Sequence, residues 1–414
     1  MIVGGILCLI VSVFISSSSY DFLGSSNIIP NIKSEAKSIS DTEMNNIDDE
    51  VLTISDLSFL PDTGIYHTKN RTQIGNENAT FYILVRNSEL QETLKIMREI
   101  EDRFNKQYRY PWTFLNDVPF TEEFKRLTTG IASGKTEYGL IPTNFWSIPD
   151  FIDENVFEEA RNDYERRGVI YGGSISYRHM CRFNSGFFFR HELMLKYEWY
   201  WRVEPGTRFY CDQNYDPFTF MRENNKTYGF VISIPEYEDT IPTLWDTAEE
   251  FFNANKNFLA SNNAAQFILD KSTVRPDDYY VQSKSKYNLC HFWSNFEIGN
   301  LNFFRSELYL KYFDFLDKRG GFFYERWGDA PVHTIALTMM LNRSEIHHFA
   351  DIGYKHPPYY RCPHDEASYS SGRCYCDENP ASNIDFQPFS CLPKWWLHGG
   401  RHFLYKYHDE LLLM

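Results

Sequence analysis

The sequence predicts an α/β fold, and two observations indicate it. A strand, an amphipathic helix and a second strand follow one another where the globular sequence begins, near residue 78. Helical patterns then alternate with short runs of β-forming residues along the chain. Two strands joined by a helix normally run parallel, and helices then cover the sheet, which is the arrangement of α/β domains.

The first three elements justify this prediction in order. The runs "TFYILVRN" and "YPWTFLND" consist mainly of β-forming residues. Between them, Ser88 and Gln91 form a predicted capping box at the start of a helix. The apolar residues of that helix recur at helical spacing: Leu90, Leu94, Met97, Ile100 and Phe104. Ligands of parallel sheets bind at the carboxyl ends of the strands, where Arg86 is expected.

Further elements follow along the chain. Helical periodicity predicts helices over "ENVFEEARNDYERRG", "TLWDTAEEFFNANKNFL", "SELYLKYFDFLDKRGG" and "DAPVHTIALTMML". Gly168 and Gly320 are expected to end two of them, whereas Ser306 and Asp329 are expected to act as N-caps. The runs "RFYCD" and "YGFVISI" are predicted strands.

The chain divides into three predicted regions. Residues 1–16 are apolar and uncharged, as in a signal peptide or a membrane-spanning signal-anchor. Residues 17–60 are rich in serine, asparagine and acidic residues, which predicts an extended luminal stem. A stem has a purpose only behind a retained anchor, so the anchor is favoured. Residues 61–414 then form one large luminal domain.

Composition restricts the partners and the compartment. The formal net charge of -15 argues against a nucleic-acid partner, since phosphate backbones are bound by clustered Lys and Arg. A phosphate-bearing substrate would need a local basic pocket or a metal ion. Sequons at Asn70, Asn78, Asn225 and Asn342 agree with a secretory lumen.

Seven cysteines follow residue 16. In an oxidising lumen most of them should form disulfides, and the odd number leaves at least one thiol free. The spacings Cys362-x-His364 and Cys374-x-Cys376 also allow a zinc cluster, although they are tight for one. Disulfides are therefore the favoured interpretation.

The sequence contains none of the common catalytic signatures. Walker A, G-x-G-x-x-G, G-x-S-x-G and H-E-x-x-H are absent, and the globular part has no Asp-x-Asp. A site must therefore be assembled from scattered residues. In "WRVEPG", strand alternation places Arg202 and Glu204 on one face before a Pro-Gly turn. Glu204 is either a salt-bridged turn carboxylate or a metal ligand or base.

Three other stretches contain candidate groups. Glu297 has aromatic neighbours, so its carboxylate is either hydrogen-bonded structurally or adapted to catalysis. Asp329, with Glu325 nearby, lies at a predicted helix N-terminus, where capping and ligand binding are compatible. A third stretch has three histidines before Pro-Pro: His347, His348 and His356. His356 and Glu204 would offer Mn²⁺ one nitrogen and one hard oxygen.

Together these stretches resemble a known family. "WRVEPG", "HFWSNFEIG", "ERWGDAPVH" and "DIGYKHPPY" are similar to the fungal α-1,2-mannosyltransferases of glycosyltransferase family 15. The likeness extends over residues 78–395 and includes "YPWTFLND" and "YRHMCRFNSGFF". The resemblance implies a GT-A-like fold, with a Rossmann-type mixed sheet flanked by helices. It also implies a catalytic domain that transfers mannose from GDP-mannose with Mn²⁺ and retention of configuration.

The resemblance implies a role for seven residues of this chain. Glu204 and His356 are expected to bind manganese, and Glu297 is the expected nucleophile. Four more residues are expected to hold the nucleotide or the mannose: Arg86, Tyr177, Arg202 and Asp329. Sequence leaves open whether Glu297 forms a covalent intermediate or stabilises the transition state electrostatically.

The resemblance also implies partners and a location. The acceptor would be a mannose-terminated O- or N-linked glycan on a glycoprotein, and the protein a single-pass type II Golgi membrane protein. Two alternatives stay open. One is an inactive mannan-binding protein of the same fold. The other is a glycoside hydrolase that uses Glu297 with Glu204 or Glu325.

Overall fold

The computed structural model describes residues 77–280, 282–377 and 379–399. The predicted anchor (1–16), the predicted stem (17–60) and the sequon at Asn70 lie outside these residues. Within the described part, every helix is too short or too polar to span a bilayer.

The described residues form strands and helices in alternation. The strands are β1 (Ala79–Leu84), β2 (Trp112–Asn116), β3 (Thr136–Leu140), β4 (Trp199–Arg202), β5 (Arg208–Phe209), β6 (Tyr228–Phe230), β7 (Ser233–Pro235), β8 (Cys290–Phe292), β9 (Glu297–Asn300), β10 (Ile346–His348), β11 (Tyr354–His356) and β12 (Tyr359–Arg361). The helices are α1 (Leu90–Ile100), α2 (Lys106–Tyr108), α3 (Glu122–Ile131), α4 (Glu154–Arg166), α5 (Ile175–Gly186), α6 (Pro217–Glu223), α7 (Leu244–Ala254), α8 (Ala265–Leu269), α9 (Leu301–Phe304), α10 (Glu307–Lys318), α11 (Gly321–Tyr324), α12 (Asp329–Met340), α13 (Glu366–Ser371) and α14 (Leu392–Gly399).

A mixed seven-stranded sheet organises the domain, and its strand order is β10-β6-β9-β4-β1-β2-β3. Strand β1 runs parallel to β2 and to β4, so the predicted β-α-β unit is confirmed. Strand β9 is antiparallel to both of its neighbours, β4 and β6. The predicted α/β class with a mixed sheet is therefore confirmed. The start of β9 meets the carboxyl end of β4, where Arg202 pairs with Glu297.

Alternate residues of β1 supply two hydrophobic cores. Phe81 stacks on Trp112 in one core, with ring centroids 4.4 Å apart. Tyr82 stacks on Phe188 in the other core, at 4.9 Å. Because successive side chains of a strand point to opposite faces, both faces of the sheet are buried. Burial on both faces explains why this strand is almost continuously apolar.

Most predicted helix ends are confirmed, and two caps are wrong. Ser306 accepts a hydrogen bond from the Tyr309 backbone N–H at the start of α10. Ser88 is not a cap. It lies in a 3₁₀ turn in which the Glu89 carboxylate accepts from the Arg86 backbone N–H. Asp329 is not a cap either, because its carboxylate binds the guanidinium of Arg202 and Gly328 precedes the helix.

Two predicted strands are shorter than expected. Only Arg208 and Phe209 of "RFYCD" are in a strand. "YGFVISI" divides into β6 and β7, because β6 pairs with β9 in the large sheet. Strand β7 instead forms a separate pair with β8.

Three disulfides confirm the prediction made from the cysteines. They join Cys211 to Cys374, Cys290 to Cys391 and Cys362 to Cys376. Cys181 is the free, buried thiol in the described part of the chain. The zinc alternative is wrong, since each of the three sulfurs it requires lies in a disulfide bond.

The disulfides should differ in their contribution to stability. Replacing Cys290 and Cys391 by alanine opens a link across 101 residues, whereas the Cys362–Cys376 link spans 14. Loop entropy predicts losses in the free energy of unfolding of about 4.7 kcal/mol for about 100 residues and about 3 kcal/mol for about 15. Urea unfolding of the two double variants measures this difference. If the Cys290→Ala/Cys391→Ala variant were as stable as the wild type, the predicted loss for this disulfide would be wrong.

Candidate functional site

A cavity of about 670 Å³ opens at the carboxyl ends of β1 and β4. These two strands are parallel neighbours, so their carboxyl ends lie at one edge of the sheet. Six of the seven predicted site residues line the cavity: Arg86, Tyr177, Arg202, Glu204, Asp329 and His356. Among the described residues, Glu297 is not part of the lining.

The turn after β4 brings Glu204 and His356 together. Gly206 has a φ of +81°, a conformation that favours glycine, and the Thr207 hydroxyl donates to the Glu204 carbonyl at 2.7 Å. The turn leads into β5, which pairs antiparallel with β11 through Arg208 and Lys355. Strand β11 therefore delivers His356 to the turn that presents Glu204.

Glu204 and His356 face each other at a distance that suits an intervening cation. Glu204 Oε2 and His356 Nε2 lie 3.5 Å apart, longer than an ordinary hydrogen bond. The other ring nitrogen of His356, Nδ1, is 3.0 Å from the Pro357 carbonyl, which can only accept. Nδ1 therefore carries a proton, and the Nε2 lone pair points to the carboxylate unless a second proton or a cation lies between them.

The pKa values of both groups are shifted by their surroundings. Burial raises the pKa of Glu204, but Arg202 and His356 outweigh burial and lower the pKa to about 2. Burial lowers the pKa of His356, but the adjacent Glu204 carboxylate raises it above its usual value. The carboxylate is ionised at neutral pH, so it attracts either a proton to His356 or a metal ion.

Arg202 is the cation of a group that we call the Arg202 cluster, formed by buried Arg202, Glu297 and Asp329 and half-buried Glu204. Its guanidinium is 2.6 Å from Glu204, 2.6 Å from Asp329 and 3.7 Å from Glu297. Ser294 also donates its hydroxyl to Asp329, at 2.8 Å. One guanidinium therefore serves three carboxylates, and the cluster carries an excess of negative charge.

Glu297 is completely buried, and the structure shows that it is hydrogen-bonded. Tyr228 and His333 contact Oε1 at 2.9 and 2.7 Å. Tyr200 donates to Oε2 at 3.1 Å, on the side where Arg202 lies. The aromatic surroundings noted in the sequence therefore contain polar groups that the local sequence does not reveal.

Arg86 and Tyr177 lie on adjoining parts of the cavity. Arg86 follows β1 and donates to the Ser176 hydroxyl at the start of α5. The Tyr177 ring stacks on Tyr171, with centroids 4.4 Å apart. It also lies 5.0 Å from the Arg326 guanidinium. Both predicted ligand-binding residues thus lie at the start of α5, Tyr177 within the helix and Arg86 in contact with it.

The structure adds groups that sequence analysis did not select. Arg326 and Glu236 line the cavity and lie 3.6 Å apart. Arg326 lies between Glu325 and Asp329, which were selected from the sequence. Glu236 directly follows strand β7, and this position at a strand end was the signal that could have identified it. The described lining then holds three guanidinium groups, of Arg86, Arg202 and Arg326, and five carboxylates, listed here: Glu89, Asp117, Glu204, Glu236 and Asp329.

Two of the candidate histidines are absent from the described lining of the cavity. His347 packs between Phe220 and Phe349, and His348 is 3.1 Å from the Val231 carbonyl. Burial lowers the pKa of both imidazoles well below the usual value. A three-histidine metal site is therefore wrong.

Glu325 also has a structural role. Its carboxylate accepts hydrogen bonds from the Thr243 hydroxyl at 2.7 Å and the Trp327 indole at 2.5 Å. Within the described part, Glu325 does not line the cavity. The carboxylate pair of Glu297 and Glu325 that a glycoside hydrolase would use is thus not assembled at this cavity.

Comparison with known proteins shows close relatives. Residues 29–398 match the model of a family described as Glycolipid 2-alpha-mannosyltransferase. Probable mannosyltransferase KTR2 of Saccharomyces cerevisiae is 53% identical over 331 residues, which are 79% of this chain and 78% of the relative. Alpha-1,2 mannosyltransferase KTR1 of the same organism is 50% identical over 320 residues, or 77% and 78% of the two chains.

Two solved structures share the fold. One is core-mannan synthase A (CmsA/Ktr4) from Aspergillus fumigatus in its Mn/GDP form. It matches with a TM-score of 0.72 and 41% identity, over 81% of this chain and 87% of that one. The other is the mannosyltransferase Ktr4p from S. cerevisiae in complex with GDP. It has a TM-score of 0.73 and 39% identity, over 79% and 83% of the two chains.

Removing the guanidinium of the Arg202 cluster should destabilise the protein strongly. Arg202→Met leaves Glu297 and Asp329 buried without their cation, so we expect a loss of about 3–5 kcal/mol in the free energy of unfolding. Arg202→Met/Asp329→Asn should recover part of that loss, because one uncompensated charge is removed. Urea unfolding at neutral pH measures both effects. A single variant within about 1 kcal/mol of wild type would show that Arg202 does not hold the cluster.

Proposed function

Since the chain belongs to the glycolipid 2-alpha-mannosyltransferase family, we propose that it transfers mannose from GDP-mannose to mannose-terminated glycans. The bond formed is an α-1,2 linkage, with retention of configuration at the transferred sugar. The observation that carries this proposal is the pairing of Glu204 with His356 in a cavity that opens at the carboxyl edge of the sheet.

The residues present fit a manganese ion. Glu204 offers a hard carboxylate oxygen and His356 an imidazole nitrogen, a donor set that suits Mn²⁺. The Nδ1 proton of His356 is fixed on the Pro357 carbonyl, so Nε2 is the nitrogen available as a ligand. The lining also holds more carboxylates than guanidinium groups, so a diphosphate needs added positive charge. Bound there, Mn²⁺ would supply charge neutralisation for the departing GDP.

Arg86 is the guanidinium group best placed for the donor phosphates. Arg202 is bound to three carboxylates, and Arg326 is paired with Glu236. Among the described residues, no carboxylate forms an ion pair with Arg86, which is exposed at the cavity. A guanidinium that is not paired with a carboxylate can bind phosphate oxygens through paired hydrogen bonds. We therefore assign Arg86 to the nucleotide.

Asp329 and Glu297 have different tasks in the proposed reaction. Asp329 lines the cavity and is fixed by Arg202 and Ser294, so it can accept hydrogen bonds from sugar hydroxyl groups. Burial raises the pKa of Asp329, but Arg202 lowers it below the usual value, which keeps the carboxylate ionised. Glu297 lies behind Arg202 with both oxygens occupied. Of its two expected roles, this geometry favours electrostatic support over covalent attack.

Aromatic side chains at the cavity suit the sugars. Tyr177 lies beside the stacked ring of Tyr171, and Tyr237 also lines the cavity. Tyr171 and Tyr237 are 56% and 61% exposed, unusual for side chains of this size. Their apolar faces can stack on pyranose rings while their hydroxyl groups stay in water. We assign these surfaces, with Tyr177, to bound mannose.

We place the catalytic domain (61–414) in the Golgi lumen behind the predicted anchor (1–16) and stem (17–60). The three disulfides support an oxidising compartment. Asn225, in a sequon, is exposed, which is compatible with glycosylation. The type II orientation follows from an N-terminal anchor that precedes a luminal domain.

The proposal predicts metal-dependent donor binding and transfer. The purified full chain, incubated with GDP-mannose, Mn²⁺ and α-methyl mannoside, should yield an α-1,2-linked disaccharide. Glu204→Ala and His356→Ala should each weaken Mn²⁺-dependent GDP binding by about tenfold or more, since each removes one of two protein ligands. Isothermal titration calorimetry with and without Mn²⁺ measures this effect.

Glu236→Ala is the matched control, because it removes a carboxylate from the same cavity but not from the metal pair. It should keep the Mn²⁺ dependence of GDP binding. If no disaccharide forms with any of a panel of mannose acceptors, the transferase proposal fails. Release of mannose from mannan without a nucleotide would instead identify a hydrolase.

A further inference from the structure

A fully buried histidine lies directly behind the Arg202 cluster. His333 Nδ1 is 2.7 Å from Glu297 Oε1, and His333 Nε2 is 3.0 Å from the Asn184 carbonyl oxygen. His333 and Glu297 are both inaccessible to solvent. His333 lies four residues after Asp329 on α12, so both side chains project from one face of the helix.

The two contacts of His333 determine how many protons the pair holds. A carbonyl oxygen can only accept, so Nε2 must carry a proton that it donates to Asn184. The contact between Nδ1 and the Glu297 carboxylate then requires another proton between them. If that proton were missing, an imidazole lone pair would face a carboxylate lone pair at 2.7 Å.

The surroundings of Glu297 locate this proton on the imidazole. Tyr228 donates to Oε1, Tyr200 donates to Oε2, and Arg202 lies 3.7 Å from Oε2. Hydrogen bonds and a nearby cation favour the ionised form of a carboxyl group. Glu297 is therefore a carboxylate, and His333 carries protons on both ring nitrogens.

The other groups near His333 agree with a positive charge there. Asp329, on the same helix, interacts with it electrostatically. Strand β8 packs on α12 and contributes His291, whose pKa burial lowers, so that this ring is neutral. Tyr309 of α10 lies 6.1 Å away, and burial raises its pKa, so its hydroxyl stays protonated. Tyr82 of β1 reaches the same region through the Asn184 side chain.

We propose that His333 is a positioning residue that holds a proton against Glu297 and fixes that carboxylate beside Arg202. The proton offsets one of the three negative charges of the Arg202 cluster. With the charge of Glu297 balanced by His333, the Arg202 guanidinium is directed to Asp329, which lines the cavity. The kinetic part of this inference rests on the proposed transferase function, whereas the proton assignment does not.

The proton assignment is tested by ¹⁵N NMR of the full chain with labelled histidine. We expect both ring nitrogens of His333 to resonate as protonated at pH 7.5, a value chosen about one unit above the ordinary histidine pKa. His333→Gln removes these signals and assigns them. An unprotonated Nδ1 would overturn the inference. If His333→Gln does not fold, neutron diffraction of deuterated wild-type crystals must show deuterium on both nitrogens, and its absence from Nδ1 is equally decisive.

The positioning role is tested by kinetics. His333→Gln should lower kcat by about tenfold or more, because a supporting hydrogen bond that orients a site group is lost. Mn²⁺-dependent GDP affinity should change less than about twofold, since the metal pair is not touched. Tyr228→Phe is the matched control, because it removes a neutral donor from the same oxygen, Glu297 Oε1. It should lower kcat by less than about threefold.

Each kinetic outcome decides the proposal. A folded His333→Gln variant with wild-type kcat would overturn the positioning role. An equal loss of kcat in His333→Gln and Tyr228→Phe would show that the charged donor has no greater effect than a neutral hydrogen bond to Glu297. That result would also overturn the positioning role. If the wild type transfers no mannose, the proposed function fails, and the NMR result alone then decides whether His333 holds the proton.

Discussion

A single guanidinium group, that of Arg202, joins three of the segments around the cavity. The turn after β4 supplies Glu204, the start of β9 supplies Glu297, and the start of α12 supplies Asp329. These segments are distant in sequence, and each contributes one carboxylate to the same cation. Buried carboxylates without a cation are costly, so the position of each segment depends on Arg202. The β4–β9 register fixes Arg202 opposite Glu297 and so sets the geometry of the whole group.

The Arg202 cluster has more negative than positive charge, and this excess favours the binding of protons and cations. Three carboxylates share one guanidinium, and we propose two further positive charges beside them. One is the proton that His333 holds against Glu297, and the other is a metal ion that Glu204 and His356 would bind. A negative cavity would repel a nucleotide diphosphate, so nucleotide binding would depend on a metal ion, which the same negative charge would attract. The acidic net charge of the chain is consistent with this local requirement.

Local sequence predicted the features that depend on local interactions. Strand β1, helix α10 and its Ser306 cap, and the Pro-Gly turn at Gly206 are all determined by neighbouring residues. Asp329 shows where this reasoning fails. Its spacing is that of a helix cap, but a guanidinium from a distant strand offers a charge-assisted hydrogen bond that competes for the carboxylate.

Contacts between distant segments could not be derived from patterns in the same way. Glu204 and His356 were associated through their ligand types and the family resemblance, and the geometry that unites them is the β5–β11 pairing. His333 gave no signal, because a histidine inside an apolar helix has the same pattern whether it packs or binds a carboxylate. Arg326 and Glu236 were missed because only the folded cavity brings them together.

The central claim is that the Arg202 cluster holds Glu204 in place to bind a metal ion with His356. Anomalous diffraction at the manganese absorption edge, from crystals grown with Mn²⁺ and GDP, tests it most directly. We predict one strong peak between Glu204 and His356, with metal–ligand distances of about 2.0–2.6 Å, the range of distances found for Mg²⁺ and Ca²⁺. A peak bound by other side chains, or nucleotide bound in the cavity without any peak at this pair, would contradict it.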